Sequence, residues 1–119
     1  IHAFGVQAHL SGDEAFDASG FANFLREIAA LELSIEITEL DIDDHTWPAD
    51  IGDRDRRAAE LTGRFLDVCL AEKATTTVVT WGLADHLSYL GRPLPFDASL
   101  QRKPMWHAIA RALKAAPIR

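Results

Sequence analysis

Residues 75–82 read Thr-Thr-Thr-Val-Val-Thr-Trp-Gly, a nearly continuous β-branched run that predicts the clearest strand of the chain. On either side of this run, strand-like and helical patterns alternate. Phe21, Leu25 and Ile28, for example, recur at intervals of three and four residues, as they would along one face of a helix. The sequence predicts strands at about 3–10, 35–42 and 75–82 and helices at about 18–31, 54–71 and 104–115.

The alternation of strands and helices predicts right-handed βαβ units and a parallel sheet, which places the chain in the α/β class. Three parallel strands are too few to form a stable sheet alone, because parallel sheets are normally covered on both faces. A closed (β/α)₈ barrel takes roughly 250 residues, whereas this chain has 119. The length therefore favours about three units of a larger barrel, and no linker or low-complexity tract divides residues 1–119.

Composition limits the partners that the chain can bind. Its 12 basic and 18 acidic residues give a net charge of −6, which argues against nucleic acids and anionic membranes because both require clustered Lys and Arg. No apolar run reaches the ~20 residues of a membrane span, and the opening residues suggest no secretory signal. Cys69 is the only cysteine, which excludes an internal disulfide and a cysteine-based zinc cluster. We expect no metal and no other cofactor.

Polar and aromatic side chains collect toward the carboxyl end of each predicted strand. By strict alternation along a strand, three sets of side chains each share a face: Gly5, Gln7 and His9; Ile35, Ile37, Glu39 and Asp41; Thr77, Val79 and Trp81. In a barrel these faces would point inward, so a fragment would bare Ile35, Ile37 and Val79.

The carboxyl ends of parallel strands form the rim of a pocket in α/β folds. Three strands each deliver candidates to this rim: Gln7 and His9, Glu39 and Asp41, and Trp81 with Asp85. This coincidence is more specific than any single residue of the chain.

Glu39 is the central candidate at the rim. An ionised carboxylate that faces a pocket needs hydrogen-bond donors, and His9 on the neighbouring strand can supply one while Asp41 orients the imidazole. Trp81 at a polar rim would offer a flat wall on which a sugar ring can stack. Plainer interpretations remain open at this point, namely a solvated strand-end carboxylate, a rim histidine and a core tryptophan.

The acidic run Asp-Ile-Asp-Asp-His at residues 41–45 suggests a metal-binding loop, but its spacing does not fit one. Counted from Asp41, a calcium loop requires a glycine where Thr46 stands and a bidentate glutamate where Gly52 stands. We therefore interpret the run as a solvated acidic loop.

Five segments of the chain carry a resemblance that covers essentially its whole length: Phe4-Gly-Val-Gln-Ala-His-Leu10, Ile37-Thr-Glu-Leu-Asp41, Val79-Thr-Trp-Gly-Leu-Ala-Asp85, Pro93-Leu-Pro-Phe-Asp97 and Lys103-Pro-Met-Trp-His-Ala-Ile109. The first three resemble the last three strands of family 10 glycoside hydrolases, the endo-β-1,4-xylanases, in the order and approximate spacing of that family. The last two look like its closing loop and final helix. The resemblance implies the C-terminal portion of a (β/α)₈ TIM barrel, with strands 6–8 present.

The resemblance also implies roles for individual residues. Glu39 matches the catalytic nucleophile, His9 the histidine that hydrogen-bonds to it, and Asp41 a supporting carboxylate. Substrate-binding residues of the sugar site match Gln7, Trp81 and Tyr89, the last standing where the family commonly has a second tryptophan.

The acid/base glutamate of that family follows an asparagine on the fourth strand, and this chain contains no Asn-Glu pair. The resemblance therefore implies a retaining endo-1,4-β-xylanase, acting on xylan or xylo-oligosaccharides, of which this chain carries the nucleophile and is inactive alone. The missing N-terminal barrel portion, or a second copy of the chain, is the expected protein partner. A non-catalytic self-associating fragment and a portion of another retaining β-glycosidase are the alternatives. A polymeric substrate makes a secreted or periplasmic parent enzyme the expectation.

Overall fold

The computed structural model describes residues 1–118, with four strands, three helices and one short 3-10 helix. The strands and helices alternate in the order that the sequence predicts. Their bounds are β1 Ala3–Val6, β2 His9–Ser11, α1 Ala18–Ala30, β3 Ser34–Asp43, α2 Ile51–Ala71, β4 Thr75–Thr80, the 3-10 helix Asp85–Leu87 and α3 Pro104–Ala115.

Local chemistry explains where the helices begin. The carboxylate of Asp17 accepts a hydrogen bond from the Gly20 backbone N–H at 2.9 Å and caps α1. Asp50 caps α2 in the same way, so that helix begins three residues before the predicted position 54. Pro104 occupies the first turn of α3, where its missing N–H is not needed. None of these helices is long and apolar enough to cross a membrane.

Strand β3 lies at the centre of a parallel sheet. The Leu40 carbonyl accepts a hydrogen bond from the Trp81 N–H at 2.9 Å, while the Asp41 N–H donates to the Ala8 carbonyl at 3.2 Å. Because neighbouring residues of a strand bond to opposite sides, β4 lies on one side of β3, and β1 and β2 follow one another along the other. The sheet therefore has β3 fully paired and the outer strands open at two edges.

The strand predicted at 3–10 is two short strands, because β3 contains a bulge. Along one side, Val6 pairs with Ile37 and His9 with Asp41. The neighbouring chain thus advances by three residues between these two pairs, whereas β3 advances by four. Along the other side, β4 shows the same irregularity between Ile37 and Leu40. One surplus residue of β3, within Thr38–Glu39, faces both neighbouring strands, and we call this pair the β3 bulge.

The β3 bulge makes the strict alternation that we expected along this strand wrong. Ile35 and Ile37 are fully buried under the helices, whereas Glu39 lies on the opposite side of the sheet. After the bulge the pattern resumes one position out of step, and Leu40 and Ile42 continue the buried row. An isolated chain therefore does not bare Ile35 and Ile37.

The three helices cover only one side of the sheet, and the core lies between them and β3. The main buried side chains of this core are Leu25, Ile35, Ile37, Leu40, Ile42, Leu61, Phe65, Leu66, Cys69 and Met105. The other side, which we call the open face, carries exposed residues of the outer strands: Gly5, Gln7, Thr77, Val79 and Trp81. The candidate site lies at the carboxyl end of this open face.

Candidate active site

Glu39 is held by two side chains from the neighbouring strand segment. Gln7 Nε2 donates a hydrogen bond to Glu39 Oε1 at 3.0 Å, and His9 Nε2 lies 3.0 Å from Glu39 Oε2. These two contacts fix the orientation of the carboxylate. The Glu39 side chain is 20% exposed, so it is still reachable from the open face. The β3 bulge explains this placement, because both bulge residues lie outside the buried row.

His9 lies between two carboxylates. Its Nδ1 is 2.8 Å from Asp41 Oδ1, on the side of the ring opposite the contact with Glu39. A neutral imidazole has a single N–H, so only the protonated ring donates to both acceptors. The hydrogen bond to Asp41 is the main reason that the pKa of His9 is raised above its usual value, with partial burial acting against it. The geometry therefore favours an imidazolium that joins the two acids.

Asp41 supports His9 from within the protein. Its side chain is fully buried, and Oδ2 has no hydrogen-bond partner among the described residues. Burial raises the pKa of Asp41, and the hydrogen bond to His9 opposes that rise. Because no part of its carboxyl group reaches the surface, Asp41 can orient His9 but cannot contact a substrate.

Trp81 adds an aromatic surface beside this group. Its ring meets the His9 ring edge-on, with 6.2 Å between the centroids and 86° between the planes. The residue is 49% exposed, so much of the indole surface is open to solvent. An exposed aromatic surface next to a fixed carboxylate suits a sugar ring, whose C–H groups stack on indole while its hydroxyls hydrogen-bond nearby.

Two further candidates, Tyr89 of the sugar site and Asp85 of the rim, take no part in this group of contacts. Tyr89 is 73% exposed in the segment after the 3-10 helix, and its side chain takes no part in the hydrogen bonds and ring contacts that join the residues around Glu39. Asp85 is buried, and its carboxylate accepts hydrogen bonds from Lys103 Nζ at 3.0 and 3.2 Å. The expectation that Asp85 lies at the rim is wrong, because a buried lysine draws its side chain into the protein.

The acidic run that we expected to be a loop includes the end of β3, up to Asp43, and it forms ion pairs. Asp44 is buried and accepts two hydrogen bonds from Arg54, at 2.6 and 2.8 Å, so it is not the solvated residue that we expected. Asp43 pairs with the exposed His45 at 2.6 Å, and this contact lowers the pKa of the Asp43 carboxyl. Within residues 1–118, no group of three or more His, Cys, Asp or Glu side chains is arranged to hold a metal ion.

Sequence reasoning placed Gln7 only as a lining residue of the sugar site, and its direct hydrogen bond to Glu39 was not foreseen. The signal was present, because Gln7 stands two residues before His9 and so shares its face. The structure brings together Gln7, His9, Glu39, Asp41 and Trp81.

Comparison with known proteins places this arrangement in context. Exoglucanase XynX of Acetivibrio thermocellus is 32% identical over 98% of this chain, which spans only 11% of the length of that relative. The structure of xylanase 10B from Thermotoga maritima matches 96% of this chain with a TM-score of 0.87 at 26% identity, and the match covers 37% of that xylanase.

Xylanase 10B from Thermotoga petrophila, solved in complex with xylobiose, matches 94% of this chain with a TM-score of 0.83 at 27% identity, and the match covers 36% of that protein. The α/β fold of this chain is therefore that of a part of the (β/α)₈ barrel of these xylanases. The profile of the family described as Glycosyl hydrolase family 10 matches residues 1–112, and the chain belongs to that family.

Proposed function

We propose that this chain supplies the nucleophile of a retaining endo-1,4-β-xylanase that hydrolyses β-1,4-xylosidic bonds of xylan. The observation that carries the proposal is the Glu39 carboxylate, held by Gln7 and His9 and facing outward beside the half-exposed Trp81. The related xylanase of Thermotoga petrophila binds xylobiose, and xylose units linked in this way are the substrate class that we assign.

The proposed chemistry needs a second acid. In a retaining reaction, Glu39 attacks the anomeric carbon and forms a glycosyl ester while the bond to the leaving oxygen breaks and that oxygen takes up a proton. The proton donor must be a carboxylic acid that lies ~5–5.5 Å from the nucleophile and reaches the substrate. Asp41 is fully buried and bound to His9, so it does not fit this role. We assign the acid/base residue to the part of the barrel that lies outside this chain.

The chain corresponds in this proposal to the last three units of the barrel, strands 6–8, and is inactive alone. Its sheet has two open edges, and partly exposed apolar side chains lie near both: Phe4 and Phe24 beside β1, and Val79 and Leu113 beside β4 and α3. Parallel strands with free edges pair readily with further strands. The preceding barrel units are the partner that we assign to these edges.

The test is hydrolysis of xylan by the complete barrel that contains this chain. Glu39→Gln keeps the volume of the side chain but removes its charge and nucleophilicity, and should abolish turnover. Glu36→Gln is the matched control. Glu36 is a glutamate of the same strand, three residues before Glu39, and its substitution should leave turnover unchanged. Retention of even about a tenth of the wild-type kcat in Glu39→Gln refutes the assignment of the nucleophile.

A self-associating, non-catalytic fragment is the second candidate, and the same open edges favour it. Sedimentation equilibrium of the 119-residue chain over a hundredfold concentration range tests this second candidate. A cooperative monomer of 13.1 kDa at every concentration excludes self-association. A third candidate, another retaining β-glycosidase, is supported by the exoglucanase name of one relative. Higher kcat/KM on cello-oligosaccharides than on xylo-oligosaccharides favours it.

A further inference from the structure

The Trp81 ring lies half exposed at the open face. Its one ring contact among the described residues is the edge of His9, 6.2 Å away, and much of the indole surface faces solvent. The backbone N–H of Trp81 is fixed on β3 through the Leu40 carbonyl. The backbone on the other side of Trp81, where the chain continues to Gly82, is the remaining constraint that we consider.

The next residue, Gly82, is pressed against a buried leucine. Gly82 has a φ of +114°, in the left-handed region that favours glycine. A Cβ at this position would meet Leu94 Cδ1 at 2.9 Å, so the Leu94 side chain lies directly on the Gly82 backbone. Leu94 is itself fully buried. The position of Leu94 thus sets the path of the chain immediately after Trp81.

Leu94 is fixed by Asp85. The Leu94 N–H donates a hydrogen bond to Asp85 Oδ1 at 3.0 Å. The same carboxylate accepts from Lys103 Nζ, and the two side chains are only 5% and 4% exposed. A carboxylate and an ammonium at this depth hold one geometry, because every displacement leaves a buried charge unpaired.

Two further charges fasten this pair to helix α2. Lys103 Nζ also donates to the Arg92 carbonyl at 2.7 Å, and Arg92 Nη2 donates to Asp55 Oδ2 at 2.7 Å. Asp55 Oδ1 lies 3.4 Å from Lys103 Nζ. Two carboxylates and two cations thus balance one another under the segment that follows β4, and we call Asp55, Asp85, Arg92 and Lys103 the anchoring cluster.

We propose that the anchoring cluster positions the Trp81 ring for sugar stacking, through Asp85, Leu94 and Gly82, so that Asp85 and Lys103 are positioning residues of the sugar site. The sugar-stacking part rests on the proposed function, whereas the link between the cluster and the ring does not. A buried ion pair adds little net stability compared with apolar side chains of similar size. Its contribution here is a fixed geometry for the segment that follows the half-exposed ring.

The experiment is ¹⁹F NMR of the 119-residue chain labelled with 5-fluorotryptophan. The Trp81→Phe variant assigns the Trp81 resonance. Trp47 is the internal reference for folding, because its indole N–H donates a hydrogen bond to the carbonyl of Gly12, a residue distant from it in sequence. Lys103→Met should shift or broaden the Trp81 resonance and leave that of Trp47 in place. Lys73→Met, at an exposed lysine, is the matched control and should change neither resonance.

Two double variants show whether the link runs through the hydrogen bond to Leu94. Asp85→Asn with Lys103→Met removes both charges but keeps an amide oxygen as acceptor, and should restore the wild-type Trp81 resonance. Asp85→Ala with Lys103→Met keeps no acceptor and should not restore it. The Asp85→Asn double variant also answers the question if Lys103→Met alone unfolds the chain and the Trp47 resonance is lost.

The proposal is overturned if the Trp81 resonance is unchanged both in Lys103→Met and in the Asp85→Ala double variant, while the Trp47 resonance stays native. The anchoring cluster would then have a role in stability alone. In the complete barrel, Lys103→Met should raise the KM for xylo-oligosaccharides about tenfold and leave kcat within about twofold, as expected for misplaced binding contacts. A complete barrel without xylanase activity refutes the proposed function, and the NMR result then still decides the link between cluster and ring.

Discussion

Replacing His9 by alanine should destabilise the chain because it leaves a buried carboxylate without its hydrogen-bond partner. Asp41 is fully buried, and His9 is the partner of its Oδ1 atom. Loss of one hydrogen bond to a charged group costs about 1.5–3 kcal/mol. The lost contact with Glu39 adds little, since that carboxylate is partly exposed and keeps its bond from Gln7. We therefore expect the free energy of unfolding to fall by about 2–3 kcal/mol near neutral pH.

The size of this loss should depend on pH, with a maximum near neutrality. The folded-state pKa of His9 is raised above its ordinary value of 6.5, so its contribution is complete below about pH 6.5 and declines as the pH rises through the folded-state pKa. In the variant, the pKa of Asp41, already raised by burial, should rise further without the opposing bond from His9. Protonation of Asp41 in the folded state then restores stability as the pH falls through this raised pKa.

The assay is urea unfolding of the wild type and the variant at one fixed protein concentration, between about pH 5 and 9. His45→Ala is the matched control, because His45 also pairs with an aspartate but does so at the surface. Adding Asp41→Asn to His9→Ala removes the buried charge and should recover stability at pH 7. A loss that is the same at every pH, or no larger than that of His45→Ala, refutes this account of the pair.

Further predictions concern activity, an ion pair and the cysteine. In the complete barrel, His9→Ala should lower kcat more than it raises KM, since His9 contacts Glu39, the nucleophile that we propose; steady-state kinetics showing weaker binding alone contradict this. Trp81→Ala should weaken binding of xylo-oligosaccharides by about 1–2 kcal/mol in calorimetric titrations. Asp44→Ala should lower the free energy of unfolding by about 3 kcal/mol, because it leaves the Arg54 charge without its buried partner; Glu60→Ala, at an exposed pair, should change it far less. Burial raises the pKa of Cys69 to about 12, so a thiol reagent at pH 8 should label Cys69 only as fast as the chain unfolds.

Local patterns along the sequence were sufficient to predict the elements and the main contacts of the site. The β-branched runs and the spacing of apolar residues located the strands and helices, and the alternation in β1 and β2 placed His9 beside Glu39. Asp41 was recognised as the partner of His9 because it follows Glu39 by two residues on the neighbouring strand. These inferences need the two-residue period only where it holds, in β1 and β2 and from Glu39 to Asp41; across the β3 bulge the period fails.

Features that depend on distant partners could not be predicted in this way. The β3 bulge exists only as a mismatch with two other strands, and the sequence of β3 alone reads equally well as a regular strand. Asp85 stands at the end of a strand motif, but its place is set by Lys103, eighteen positions along the chain. Tyr89 lies outside the helices and strands, in a segment that has no periodic pattern from which its direction could be predicted.

The surplus residue in β3 separates the demands of folding from those of chemistry. If Thr38 were deleted on paper, Ile35, Ile37, Leu40 and Ile42 would alternate with polar residues in perfect order and pair evenly with β1 and β2. The bulge therefore contributes nothing that the buried row requires. Selection can accordingly vary the residue at position 39 without disturbing the packing that makes the strand fold. Natural variants that have lost the carboxylate should then persist as intact proteins, available for new binding roles, instead of disappearing as misfolded chains.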